Sequence, residues 1–75
     1  MDVSSSENRA RNIWDWAERR INNSQGSSLV VSNYKDIASF ARKARDAYAD
    51  GKTTEGDAFM SKLEQRAQAY NIKLP

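Results

Sequence analysis

The chain has 75 residues, 39% of them apolar and 29% charged, with a formal charge of +2 and neither cysteine nor histidine. That length allows one domain and a small core. The composition excludes disulfides and removes the usual soft metal ligands, so self-association is the reinforcement left to a domain of this size. Twelve basic against ten acidic residues create little overall field for nucleic acid. The cations are spread evenly: residues 1–26 are neutral, and 27–51 and 52–75 carry one excess positive charge each. Any nucleic-acid role therefore needs a local patch.

The first segment, MDVSSSENRARN, lacks an apolar run of signal-peptide length, and nowhere do 18 apolar residues follow one another. The expected compartment is the cytoplasm, or a host cytoplasm for a viral gene, with no membrane partner. Residues 1–5 are mostly polar and without periodicity, so they are expected to be a flexible N-terminus ahead of a single helical domain over 6–75. Ser6 is the expected N-cap of helix 1. Ala10, Ile13, Trp14, Ala17 and Ile21 then recur at helical intervals, predicting a helix from about 6 to 23.

NNSQGSS, residues 22–28, is a cluster of helix breakers, with Gly26 free to take a positive φ. Leu29, Val30 and Val31 form a short apolar run with two β-branched valines that predicts an extended segment, either strapped across the helices or paired with the same segment of a second chain. Asn33 and Asp36 have the spacing of a capping box, so helix 2 is expected from about 33 to 50, with Tyr34, Ile37, Ala41, Ala44 and Tyr48 on one side. Gly51 stands where a left-handed C-cap belongs.

Thr54 and Asp57 repeat the capping spacing, and Glu55 suits the positive end of a helix dipole. Helix 3 is expected from about 54 to 70. Its apolar stripe is Phe59, Met60, Leu63, Ala67 and Tyr70, with Gly56 on the same side one turn earlier. Ile72 and Leu74 lie beyond it, placed to fold back. The short link between helices 2 and 3 predicts an antiparallel hairpin that helix 1 covers. The fold class is all-α, a small three-helix bundle with a short extended LVV segment.

The sequence offers little for chemistry. Without His or Cys the commonest nucleophile and base pairs are missing, and Asp57 has a sufficient reason to exist as a first-turn acid. Gly26, Gly51 and Gly56 are isolated, so no phosphate-cradling loop is present. The reading is no enzyme, no catalytic residue, no cofactor and no metal. A helix-turn-helix reading of helices 2 and 3 fails because helix 3 opens with acids that would face phosphates.

The informative stretch is NIWDWAERRINN, residues 12–23. At about 100° per residue, Trp14 falls near the middle of the apolar stripe and Trp16 more than a quarter turn from it. Trp16 either widens the buried face under a stacked arginine or anchors a partner, ringed by Arg9, Arg19 and Arg20. Those four residues with Leu29, Val30 and Val31 are the candidate partner-binding set. The function they predict is a non-enzymatic protein-binding module: a small accessory regulator, inhibitor or assembly factor of the size found among phage and plasmid proteins. A homodimer or higher homo-oligomer is expected. The alternative is a single-stranded nucleic-acid binder that stacks bases on Trp16 and holds phosphates with its arginines, assisted by Arg42, Lys43 and Arg45.

Overall fold

The computed structural model describes residues 3–23 and 28–75. Three helices account for nearly all of them: α1 Val3–Asn23, α2 Ser28–Ala49 and α3 Thr53–Ala69. Helix α2 packs against both others and is the middle member of the bundle. The core is alanine-rich: Ala10, Ile13 and Ala17 from α1, Ile37, Ala38, Ala41, Ala44 and Tyr48 from α2, and Met60, Leu63 and Ala67 from α3. Alanine at the contact positions lets the backbones approach closely, and the larger side chains fill the space between them. Trp14, Trp16, Ile21, Phe40 and Phe59 pack around that centre with one edge exposed.

The N-terminus is helical earlier than its sequence predicts. Helix α1 begins at Val3, so Ser6 lies inside it rather than capping it, and residues 3–5 of the expected flexible segment are helical. Met1 and Asp2 lie outside the described residues. Gly26 and its expected positive φ also fall outside them.

Helix α2 departs further from its expected start. Leu29, Val30 and Val31 are helical, and α2 starts at Ser28 instead of Asn33. The intrinsic cost of valine in a helix is only a few tenths of a kcal/mol, which tertiary contacts override. The stripe shows how: Val31, half-buried and three residues before Tyr34, extends the series Tyr34, Ile37, Ala41, Ala44, Tyr48 by one turn. Asn33 is then an interior residue of α2, and Asp36 accepts a hydrogen bond from the Tyr70 hydroxyl and pairs with Arg66 Nη1 at 3.6 Å. The acid read as a capping residue ties α2 to α3.

Both ends of the hairpin are closed by left-handed residues. Gly51 has φ +77°. Its N–H donates to the Tyr48 carbonyl at 3.1 Å and the Lys52 N–H to the Ala47 carbonyl at 2.8 Å, the paired bonds of a Schellman cap. Asn71, at φ 61°, repeats the motif after α3: its N–H donates to Gln68 and that of Ile72 to Ala67, at 3.2 and 2.8 Å. This reversal turns the tail back, so Ile72 and Leu74 pack on the core and Pro75 ends beside Asn8, Asn12 and Ile13 of α1. The N-cap of α3 is Lys52, two residues before the Thr54 that the capping spacing predicts, and it makes no side-chain cap.

Candidate functional site

Helix lengths decide what is left open. Helix α2 has 22 residues and α3 has 17, a difference of about 8 Å at 1.5 Å per residue. The Tyr70 and Arg66 contacts with Asp36 mark where α3 stops along α2. The first two turns of α2 extend beyond that point and are supported by the second half of α1. Leu29 is 73% exposed there and Val30 40%. They are the large exposed apolar side chains among the described residues. Val31 is half-buried.

Trp16 lies just below this end, and it is not a free anchor. Its ring meets Tyr34 of α2 edge to face, with centroids 5.5 Å apart and planes at 74°. The Arg20 guanidinium lies 5.9 Å from its centroid. Trp14 and Trp16 flank the fully buried Ile13 on the two edges of one wide interior face, so α1 half-buries both tryptophans. The face is wide because α1 meets α2 along one side and the returning tail along the other.

The expected partner-binding residues therefore separate. Arg20 lies against Trp16, Leu29 and Val30 are exposed at the start of α2, and Arg19 is exposed near the end of α1. Arg9 lies two turns from Trp16, toward the start of α1, and its Nη1 sits 3.4 Å from Glu64 Oε1 of α3. Both partners are about half exposed, so that pair contributes little to stability. The cations Arg42, Lys43 and Arg45 do not form one patch. Lys43 lies over the Phe40 ring at 5.7 Å, and Arg45 lies over Trp14 at 4.7 Å while pairing with Asp46 at 2.6 Å. Arg42 is exposed on the flank of α2 that runs beside α1.

A polar recess of about 270 Å³ opens where α1, α2 and α3 meet, lined by Ser6, Arg9, Tyr48, Asp57, Met60 and Glu64 among others. The Tyr48 hydroxyl donates to Asp57 Oδ1 at 2.5 Å. Burial of the phenol, and then the bonded and negatively charged Asp57, push the Tyr48 pKa up to about 12. Asp57, expected to serve its own helix start, holds a side chain of α2 instead. The sequence signal for this was Gly56: its missing Cβ leaves room for the Tyr48 ring, which a Cβ would meet at 2.5 to 2.8 Å. Among the described residues no three acidic side chains converge as metal ligands would.

A second groove runs between α1 and α2, about 250 Å³ in volume, lined by Trp14, Glu18 and Ile21 of α1 and by Lys35, Ala38 and Arg42 of α2. Trp14 Nε1 donates to Glu18 Oε1 at 3.2 Å, one turn along the same helix. The signals for it were present in the sequence as Trp14 and Glu18 four apart and Lys35 and Arg42 seven apart. Among the described residues no helix is long and apolar enough to cross a membrane. Comparison with protein families, curated proteins and solved structures returns no match to this chain.

Proposed function

We propose that the chain is a non-enzymatic protein-binding module, an accessory regulator, inhibitor or assembly factor, that self-associates through the end where α1 and α2 meet. The observation that carries the reading is Leu29, 73% exposed on a helix with Val30 beside it at 40%. Stacking these residues against another apolar surface removes them from water at about 25 cal/mol per Å². A second copy is the occupant the reading commits to, because the same small apolar ridge on each chain meets itself across a two-fold axis. Arg20, stacked over a Trp16 that meets Tyr34, supplies the polar rim.

The apolar area is small, so the dimer is weak and forms with rising concentration. Sedimentation equilibrium from micromolar to millimolar protein checks this. The expected result is a reversible dimer in the wild type and a helical monomer in Leu29→Glu at every concentration. A monomeric wild type, or a Leu29→Glu variant that still dimerises, overturns the self-association.

A further inference from the structure

We infer that the groove between α1 and α2 is a second docking site, independent of the Leu29 end, and that its partner is a foreign amphipathic helix carrying carboxylates two turns apart. The groove lies on the flank of α2 that α3 leaves open. Asp36 and Phe40 meet Arg66 of α3, whereas Lys35, Ala38 and Arg42 face roughly the opposite way around α2. Trp14, Ile21 and Ala38 supply its apolar lining, and Ser39 lies between the two cations on the α2 side. The Trp14 ring is held from two directions, by Arg45 over its face and Glu18 at its Nε1, so this wall is set before a partner arrives.

Charge selects the occupant. Lys35 and Arg42 stand exposed on the α2 rim, seven residues apart, and make no ion pair or hydrogen bond among the described residues. Seven residues are about 10.5 Å along the axis, the distance between carboxylates at positions i and i+7 of a docked helix. A trough between two packed helices accepts the ridge of a third, so a helix fits it in shape as well. Glu18 on the α1 rim opposes a polyanion and favours a partner with acids along one edge only. That asymmetry points away from nucleic acid and fixes the direction in which the helix lies.

A second copy of this chain does not supply the partner. Among the acidic residues within its helices, only Asp57 and Glu64 are seven apart, and Asp57 is held by the Tyr48 hydroxyl of its own chain.

The test uses a synthetic helical peptide of about 18 residues, five turns, with a Leu and Ala stripe and Glu at two positions seven apart on one edge. It is titrated into the full chain and followed by tryptophan fluorescence at low salt. The expected result is saturable binding that weakens about tenfold or more when both Glu are replaced by Gln, or when the protein carries Lys35→Glu with Arg42→Glu. A peptide with Lys at those two positions regains affinity for the double variant, and Leu29→Glu leaves binding unchanged. Equal affinity of the Glu and Gln peptides, absence of binding, or tighter binding of a single-stranded oligonucleotide than of the acidic peptide overturns the inference.

Discussion

The two interfaces made by α2 are held by different physics. Against α1 it offers a broad area of small side chains closed at the edges by rings: Trp16 on Tyr34, and Arg45 of α2 over Trp14 of α1. Against α3 it offers directional bonds: Tyr48 to Asp57, Tyr70 to Asp36, and Arg66 to Asp36, with Gly56 giving Tyr48 its place. Area sets how strongly two helices adhere, whereas hydrogen bonds with one allowed geometry set where they stop relative to each other. The α1 side is therefore expected to tolerate polar changes and suffer from lost volume. The α3 side is expected to respond to single atoms.

The largest effect falls on the α1 side. Trp16→Ala removes the ring that meets Tyr34, and truncations of this kind cost about 3 kcal/mol. A domain this size has roughly 3 to 5 kcal/mol in total. Circular dichroism with urea titration is expected to show a variant left with about 0 to 2 kcal/mol, whose unfolding begins at the lowest urea concentrations. A fully helical variant of wild-type stability would mean that Trp16 contributes no packing and would reopen its role as an exposed anchor.

Gly56→Ala is the sharper test of the α3 side. Helix propensity alone predicts a gain of about 1 kcal/mol. The added Cβ meets the buried Tyr48 ring at 2.5 to 2.8 Å, and that ring is held in place by Asp57. Overpacking of this kind costs about 1 to 3 kcal/mol, so the expected net change is no gain and a loss of up to about 2 kcal/mol. A stabilised variant in urea denaturation would show that the ring is free to move aside.

The smallest effect belongs to the Tyr48 proton. Its folded pKa is raised to about 12 from an ordinary 10.0, so between those values the folded state keeps a proton that the unfolded state has released. The contribution is fully present below pH 10 and is lost as pH rises through about 12. By pH 11 the loss is about 1 kcal/mol. Comparing urea midpoints at pH 9 and 11 for wild type and Tyr48→Phe isolates it, since the variant lacks that part of the slope. Equal slopes would separate Tyr48 from the alkaline instability.

Much of this was readable in the chain. Helical spacing located three helices, Gly51 marked its own turn, and the stripe of α3 named Gly56, Met60, Leu63 and Ala67, all of them buried. The length of the α2–α3 link predicted the hairpin, and the placement of Ile72 and Leu74 predicted a tail that returns. These features depend on near neighbours, whose geometry the backbone period fixes. What failed were assignments that weighed a local preference without its tertiary competitor. Leu29–Val31 reads as extended by β-propensity, yet one more turn of stripe outweighs a few tenths of a kcal/mol per residue. Asp36 and Asp57 read as caps because their spacing matches, yet each binds a tyrosine of another helix.

The sequence by itself therefore determined an all-α chain, the order and approximate extent of its helices, and most of the residues inside. Tertiary structure alone decided which helix is central, which side of Trp16 is covered, and that α2 runs past the end of α3 to leave Leu29 and Val30 in water. The physical reason is range. Periodicity and capping act over a few residues, while coverage depends on which segments separated by tens of residues come to lie side by side and on where the shorter of them ends.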